Sequence, residues 1–356
     1  MIPLTKLLGH TDEINSVAWD NNGRRVCTGS DDKTARIWEV IGDGNLCVRV
    51  LCGHIQKVSS VAWSRNNRKI CTGSWDNIAR VWEVDTGNCI QKLCGHTDWV
   101  TSVSWAHDCR VCTGSMDNTA RVWDVNTGDC IHVVRGHIDD VTSVLWSPNG
   151  QRICTASDDG FVRIWDAPGK VCSLAQVLYI NKYGISSVSW SSNGKKICAA
   201  SDDGKACVWD LALNGCIRVL HTRVLTAVSW SNGRRVCTGS DDNTSIIWDV
   251  ETGRCLQKLS GHTKLVSSIS WSTNGRRLCT GSWDNTAQIW WNPASFQLRV
   301  YFMFVIKQMY KSTPQDIEAI SDSVARGIAQ FFHQYSGLVL LVGGYIGRSL
   351  INNIII

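Results

Sequence analysis

The chain has 356 residues and a formal net charge of +5. Its length could hold two domains, and its charge is too small to indicate a nucleic-acid-binding protein by itself. The first residues contain no apolar run of signal-peptide length, so nothing marks the chain for secretion. We therefore expect an intracellular protein, cytoplasmic or nuclear.

A unit of about 40 residues recurs along the chain from residue 4 to about residue 291. In its clearest copy, Gly95-His96 precedes two strand-like stretches, and Trp123-Asp124 lies at the end. The final tryptophan of the unit occurs seven times, at Trp38, Trp82, Trp123, Trp165, Trp209, Trp248 and Trp290. A repeat of this length, with Gly-His near its start and Trp-Asp at its end, is typical of propeller blades of four strands each. We predict an all-β fold, a seven-bladed β-propeller of four-stranded antiparallel blades over residues 1–291.

These repeats resemble those of the WD40-repeat β-propeller family. The resemblance implies a fold, and folds of this kind host many functions. Alternating apolar and small polar residues predict the strands of the first blade at residues 14–19, 25–30, 34–40 and 46–51. Residues 4–8 match the segment before each Gly-His, so we expect them to complete the last blade and close the ring. Residues 296–300 are a rival for that position.

Most of the seventeen cysteines recur at fixed positions of the repeat. Seven precede Thr-Gly-Ser or its equivalent, and six follow the repeat tryptophan. A residue that occurs once per blade is distributed around the ring, whereas metal ligands must converge on one point. We expect these cysteines to act as small buried hydrophobes in a reducing compartment, and we predict no metal or cofactor site.

The WD40 resemblance implies a hydrogen-bond network in which tryptophan donates to a hydroxyl, the hydroxyl reaches histidine, and histidine reaches aspartate. Carried over by position, the sets are His10, Thr28, Asp32 and Trp38; His54, Thr72, Asp76 and Trp82; His96, Thr113, Asp117 and Trp123; His137, Thr155, Asp159 and Trp165; His221, Thr238, Asp242 and Trp248; and His262, Thr280, Asp284 and Trp290.

The hydroxyl in this network has a rival, because Ser30 and its equivalents lie two residues after the threonine and face the same side. Blade five has Asn181 and Ala199 in place of histidine and threonine. The loss of both together favours the threonine as the direct partner of the histidine. A His-Asp pair beside a hydroxyl also resembles a hydrolytic triad, but six copies locked by tryptophan indicate a structural role. We therefore expect no catalytic residues and no enzyme.

The resemblance places one residue of each blade, just before the network aspartate, in the ring opening. Large apolar residues stand there in three blades, and Trp99 should neighbour two of them. Clusters of exposed tryptophans more often mark binding sites than not, and a tryptophan folded flat over its own blade is the alternative. The predicted partner-binding residues are Trp75, Trp99, Met116 and Trp283, with Asp31, Asp98 and Asp241 as a negative rim.

Basic residues crowd the hairpins between the first and second strands, on the opposite face. They predict a basic ring: Arg24, Arg25, Arg65, Arg68, Lys69, Arg110, Arg152, Lys195, Lys196, Arg234, Arg235, Arg276 and Arg277. The alternative is that these charged residues are simply solvated, because they lie in surface turns.

Composition changes after residue 291, since every tryptophan and cysteine precedes residue 292. Residues 292–356 are a predicted C-terminal extension that is partly helical. Thr313-Pro314 predicts a helix start, and helical spacing of apolar residues continues it over about 314–335. Residues 337–356 are long enough for a membrane anchor, but Arg348, Asn352 and Asn353 oppose one. Docking onto the propeller or disorder are the alternatives.

Three functions compete on this evidence. A non-enzymatic scaffold, an adaptor subunit of a larger complex, would present the loop face of a monomeric propeller to a protein or peptide. Its ligand would be a basic segment with an apolar anchor. An enzyme would need one unique constellation, which the sequence lacks. A binder of nucleic acid or an anionic surface would use the basic ring.

Overall fold

The computed structural model describes residues 5–291 except 42–43, 107–108, 170–171, 222 and 232. This part of the chain forms seven four-stranded antiparallel sheets and contains no helix. Each sheet contacts the next through its first strand, and the last contacts the first. The predicted seven-bladed β-propeller is therefore confirmed.

Each blade runs from an inner first strand to an outer fourth strand. Blades one to three consist of β2 (Ile14–Trp19), β3 (Arg25–Ser30), β4 (Thr34–Ile41) and β5 (Gly44–Cys52); β6 (Val58–Trp63), β7 (Lys69–Ser74), β8 (Ile78–Glu83) and β9 (Cys89–Cys94); and β10 (Val100–Trp105), β11 (Arg110–Ser115), β12 (Ala120–Asp124) and β13 (Cys130–Val134).

The remaining blades follow the same order along the chain. They consist of β14 (Val141–Trp146), β15 (Arg152–Ser157), β16 (Phe161–Asp166) and β17 (Ser173–Tyr179); β18 (Ile185–Trp190), β19 (Lys196–Ser201), β20 (Lys205–Asp210) and β21 (Gly215–His221); β22 (Leu225–Trp230), β23 (Arg235–Ser240), β24 (Thr244–Asp249) and β25 (Cys255–Ser260); and β26 (Val266–Trp271), β27 (Arg277–Ser282) and β28 (Ala287–Trp291).

Blade seven takes its fourth strand from the other end of the chain. This strand is β1 (Thr5–Leu7), which pairs antiparallel with β28 in the register Thr5–Ile289 and Leu7–Ala287. Leu7 is fully buried beside Ile14 and Ile289, so it joins the core between blades seven and one. The rival closing strand at 296–300 and the predicted helix at 314–335 lie outside the described residues.

Hydroxyl groups on the inner strands connect neighbouring blades. In blade three, Val103 N donates to Ser60 Oγ of blade two at 3.1 Å. The same bond crosses the closure, where Val17 N donates to Ser268 Oγ at 3.0 Å. The small polar residues that alternate with valine in these strands therefore satisfy backbone groups between blades, while the valines fill the core.

The cysteines divide into two groups by burial, and all seventeen are free. The seven on the second strands are fully buried, as expected of small hydrophobes: Cys27, Cys71, Cys112, Cys154, Cys198, Cys237 and Cys279. On the outer strands the prediction of burial is wrong for Cys89, Cys216 and Cys255, which are exposed, whereas Cys47, Cys130 and Cys172 are partly buried against the core. The outer strand ends the blade, so no further strand covers the three exposed side chains.

Candidate protein-binding site on the loop face

Two residues of each blade meet at one end of the inner strand. One lies in the turn between the second and third strands, and the other precedes the first strand. In blade two, Trp75 N donates to Lys57 O at 3.1 Å, and in blade three Met116 N donates to Trp99 O at 3.0 Å. We call the surface formed by these pairs the loop face.

The turn that carries the first of these residues has a fixed geometry. In blade two, Asn77 N donates to Ser74 O at 3.2 Å, and Asp76 N donates to Ser74 Oγ at 3.1 Å. Asn77 has φ of 66°, a left-handed conformation that asparagine tolerates better than most residues. The turn is therefore set by Ser74, Asp76 and Asn77, which leaves the side chain of Trp75 free to vary between blades.

Trp75 and Trp99 form the centre of the candidate site. Their rings stack with centroids 3.8 Å apart and planes 6° from parallel. Lys57 Nζ lies 4.8 Å from the Trp75 ring centroid and also forms a salt bridge with Asp31. Trp99 remains 37% exposed, so the stack presents an aromatic surface to solvent.

The structure changes the role expected for Asp31. Its carboxylate is paired with Lys57 and also accepts a hydrogen bond of 2.7 Å from Asn15 Nδ2. A carboxylate compensated in this way adds little negative potential to the surface. Asp31 therefore adds less negative charge to the predicted rim than an unpaired carboxylate would, and its part in partner binding stays a prediction.

The other predicted site residues lie on the same face at different distances from the stack. Met116 is half-buried next to Trp99, and Asp98 is exposed, with Oδ1 accepting from Trp99 N at 2.8 Å. Trp283 is 39% exposed at the corresponding turn of blade seven, so blade one separates it from the stack. Asp241 is exposed in the turn of blade six.

A group of carboxylates occupies the loop face of blades three to five. Partial burial raises the pKa of Asp158 to about 6, with further contributions from the charges of Asp202, Asp140 and Asp139. Burial and the charges of Asp139 and Asp98 likewise raise the pKa of Asp140. We call Asp98, Asp139, Asp140, Asp158 and Asp202 the acidic sector. Of these residues, only Asp98 belongs to the site predicted from the sequence.

The histidine network is complete in blades one to four and seven. In blade three, His96 Nδ1 lies 2.7 Å from Asp117 Oδ2, His96 Nε2 lies 2.7 Å from Thr113 Oγ1, and Trp123 Nε1 donates to Thr113 Oγ1 at 2.8 Å. The same contacts join the sets that begin with His10, His54, His137 and His262.

The network also determines the charge state of its aspartates. Burial alone would raise the pKa of Asp117, but hydrogen bonds from His96 and Thr119 outweigh it and hold the pKa well below its ordinary value. The rival hydroxyl serves a different contact, because Ser115 Oγ donates to Asp98 O at 3.0 Å. Ser115, beside the network, therefore holds the loop that carries Asp98 and Trp99.

A family model described as "WD domain, G-beta repeat" matches the chain at residues 1–39, 45–83, 87–124, 128–166, 172–210, 214–249 and 253–290. The chain belongs to the WD40 family. A curated protein of Arabidopsis thaliana, THO complex subunit 3, is 46% identical to this chain over 37 residues. That match covers 10% of this chain and 12% of the relative.

In blade six, the prediction of His221 as a network residue is wrong. Its Trp248 Nε1 donates to Thr238 Oγ1 at 2.9 Å, as in the other blades. His221, however, is exposed and pairs with Lys205 at the end of β21. The segment between buried Leu220 and Leu225 is two residues shorter than the segment from Leu93 to Val100 in blade three, so His221 stays in the strand and cannot reach Thr238.

Blade five lacks the network, as its sequence predicts. Asn181 Nδ2 donates to Ser201 Oγ at 2.5 Å, while Asp203 pairs with Lys205 at 3.0 Å. Trp209 Nε1 is buried and, among the described residues, has no hydrogen-bond partner. The asparagine and serine thus bond to each other without reaching the tryptophan.

The basic residues of the opposite face, which we call the hairpin face, do not form a uniform ring. Arg25 lies 5.1 Å from the Trp63 ring centroid and donates to Asn67 O at 3.2 Å. Arg110 lies 4.8 Å from the Trp146 ring centroid and donates to Ala167 O at 3.0 Å. These guanidinium groups connect one blade to the next. They are therefore not simply solvated turn residues.

Cys109 and Cys112 have the Cys-x-x-Cys spacing found in metal sites. Cys112 is fully buried, and burial raises the pKa of its thiol well above the ordinary value. Among the described residues, no group of three histidine, cysteine or acidic side chains could hold a metal ion.

A membrane-spanning segment was an alternative for the C-terminal tail. In the described ranges no helix is long and apolar enough to cross a bilayer. The tail itself, residues 337–356, lies outside them.

Proposed function

We propose that this WD40 propeller is a non-enzymatic scaffold whose loop face binds a basic protein segment with an apolar anchor. The stacked indoles of Trp75 and Trp99 support this proposal most directly, because a half-exposed aromatic pair is a typical anchor point of an interface. Lys57 covers Trp75 and holds the stack in place, so the partner would contact Trp99 and the neighbouring Met116.

The charge of the surface next to the stack suggests the chemistry of the partner. The acidic sector begins at Asp98, beside Trp99, and continues over blades four and five. A lysine or arginine of the partner would gain from these carboxylates and from the face of the Trp99 indole. We infer that the segment runs from the stack towards blade five, rather than towards neutralised Asp31.

The relative THO complex subunit 3 is by its name a subunit of a complex, and this supports an adaptor role in a larger assembly. The seventeen free cysteines favour a reducing, intracellular compartment. The alternative function, nucleic-acid or anionic-surface binding by the whole basic ring, is less favoured because Arg25 and Arg110 already bind neighbouring blades.

The test is a comparison of variants in binding to a fluorescent basic peptide that carries one leucine or tryptophan, and in affinity purification of partners. Trp99→Ala should weaken binding by about 2 kcal/mol or more, as at other interface hot spots, while the melting temperature stays unchanged. Arg24→Ala, on the hairpin face, is the matched control and should have no effect. Trp283→Ala tests whether the site extends across blade one.

The opposite result would overturn the choice of face. If Arg24→Ala weakens binding and Trp99→Ala does not, the partner uses the hairpin face. If the affinity-purified partners of the Trp75→Ala/Trp99→Ala double variant equal those of the unaltered protein, the stack is not a binding site.

A further inference from the structure

A second apolar surface lies on the loop face of blade four, apart from the tryptophan stack. Two of its residues are held by the network carboxylate of Asp159: Ile138 N donates to Oδ2 at 3.3 Å, and Phe161 N donates to Oδ1 at 2.9 Å. The Phe161 ring packs against Tyr179 of the outer strand, with centroids 5.1 Å apart. Ile138 is 82% exposed, and Tyr179 is 54% exposed. We call Ile138, Phe161 and Tyr179 the blade-four patch.

The fold does not require apolar residues at these positions. Blade three has Thr97 and Thr119 where blade four has its isoleucine and phenylalanine. Thr119 Oγ1 donates to the network carboxylate of Asp117 at 2.5 Å, a bond that Phe161 cannot make with Asp159. Blade four therefore lacks a hydrogen bond that blade three makes, and it places two aromatic rings at the surface. Clustered apolar side chains at a surface are typical of an interaction site.

Carboxylates of the acidic sector connect the stack to the blade-four patch. Asp98 lies beside Trp99 and donates no charge compensation, since its Oδ1 accepts only from a backbone N–H in this loop. Burial and the charges of Asp139 and Asp98 raise the pKa of Asp140, so these three carboxylates are neighbours. Asp139 directly follows Ile138 in the chain. A negative surface thus extends from the stack in blade three to the patch in blade four.

We propose that the blade-four patch binds a second apolar side chain of the basic segment, so that the partner carries two apolar anchors separated by a basic stretch. This inference rests on the proposed scaffold function and adds a second contact to it. A segment with one anchor would leave the patch uncovered, and a wholly apolar segment would leave the carboxylates without cations. Arg163, which lies 5.1 Å from the Phe161 ring centroid, is paired with Asp159 at 2.8 Å, so its charge is compensated.

Peptides with one or two anchors test this proposal on the full chain. The two-anchor probes are fluorescent basic peptides in which a leucine and a phenylalanine are separated by about four, eight or twelve lysine and glycine residues. One-anchor probes of the same lengths carry serine in place of the phenylalanine. At one spacing we expect the two-anchor probe to bind about tenfold more tightly, because the second contact becomes intramolecular. Equal affinities at every spacing would overturn the proposal.

Ile138→Thr and Ile55→Thr form a matched pair of variants. Ile55 occupies the same position in blade two, is 70% exposed and donates its N–H to Asp76 Oδ2 at 3.2 Å. Threonine occupies this position in blades one, three and seven, so both variants should fold. Ile138→Thr should reduce the gain from the second anchor at least about threefold, and Ile55→Thr should leave it unchanged. Loss of the gain in Ile55→Thr alone would mean that the segment runs the other way, and the proposal would be wrong.

Photo-crosslinking locates the second anchor independently of affinity. Benzoylphenylalanine replaces the phenylalanine of the best two-anchor probe, and the cross-linked residues are identified by mass spectrometry. Cross-links should fall on blade four around Tyr179. Tyr179→Ser introduces the residue that blade six has at this position, Ser260, and should lower their yield.

Trp99→Ala separates this inference from the proposed function. It should weaken the one-anchor and two-anchor probes alike, because both use the stack. If the one-anchor probe depends on Trp99 but the cross-links avoid blade four, the two-anchor proposal is wrong and the proposed function stands. If Trp99→Ala changes neither affinity, the proposed function is wrong, and the two-anchor proposal fails with it.

Discussion

Blades three and five share one backbone plan but differ inside and on the loop face. Blade three buries His96, Thr113 and Trp123 in a complete network. Blade five has Asn181 and Ala199 at the first two of these positions. On the loop face, the indole of Trp99 in blade three contrasts with Gly184 in blade five.

Blade five nevertheless keeps its contacts with both neighbours. Ser186 Oγ donates to Leu225 O at 2.8 Å, and Val188 N donates to Ser143 Oγ at 3.4 Å. Contacts between blades therefore hold the ring where a network inside one blade is missing. This agrees with the behaviour of repeat proteins, in which interfaces between neighbouring units contribute much of the stability.

The largest expected effect comes from breaking the ring at blade seven. Blade seven has a complete network, so breaking the ring there tests whether the network alone keeps the blade stable without ring closure. Deletion of residues 1–8 removes β1, exposes the edge of β28 and takes Leu7 out of the core. We expect a loss of about 3–5 kcal/mol in the free energy of unfolding, measured by urea denaturation.

Two substitutions in β1 separate packing from strand pairing. Leu7→Ala should cost about 2–5 kcal/mol, because it leaves a cavity, and Lys6→Ala should be near neutral, because Lys6 is exposed. An unchanged melting temperature in the deletion would show that another segment closes the ring.

The network itself is tested by exchanging its hydroxyl between the two blades. Thr113→Val leaves Trp123 Nε1 and His96 Nε2 buried without their partner and should cost about 2–4 kcal/mol. Ala199→Thr offers a hydroxyl to Trp209 Nε1 and should gain at most about 1 kcal/mol. A cost below about 0.5 kcal/mol for Thr113→Val would show that water replaces the threonine.

Sequence predicts the repeating core well, because most positions serve the same contact from blade to blade. The six-residue second strands, with a buried cysteine in each and a buried threonine in all but blade five, follow directly from this regularity. His221 shows where alignment of the repeats fails. The two-residue deletion in this blade can be placed before or after His221, and only the strand pairing of His221 with Lys205 shows which placement is right.

The candidate site was less predictable, because it depends on side chains from adjacent blades. Repeat position places Trp75 and Trp99 on one face, but it does not give their stacking or the pairing of Lys57 with Asp31. Repeat position likewise does not give the contacts of Arg25, Arg110 and Arg277 with the tryptophan of the next blade. Such contacts involve long side chains, whose direction a repeat pattern does not specify.

Hydrogen exchange should reveal a smaller difference between the blades. Each missing buried hydrogen bond is worth about 0.5–1.5 kcal/mol, so blade five should open locally more readily than blade three. Amides of residues 186–190 and 197–201 should exchange earlier than the equivalent amides of β10 and β11. Equal protection would indicate that the bond between Asn181 and Ser201 compensates for the missing network.

The smallest effect concerns the acidic sector and its dependence on pH. Burial, followed by the charges of Asp202, Asp140 and Asp139, raises the pKa of Asp158 to about 6. Between about pH 4 and 6, the folded chain therefore keeps a proton on Asp158 that the unfolded chain has released. The free energy of unfolding falls as the pH rises through that window. A basic peptide prefers the ionised carboxylate, so its affinity should rise about threefold from pH 5 to 7.

Fluorescence anisotropy with the basic peptide measures this dependence. Asp158→Asn should flatten the pH profile, because the amide does not ionise. Asp241→Asn, at the equivalent turn of blade six, should retain the profile, because that turn lies outside the acidic sector. An affinity that falls between pH 5 and 7, or a profile that Asp158→Asn leaves intact, would mean that the partner does not contact blade four and that the apolar stack of blades two and three binds it alone.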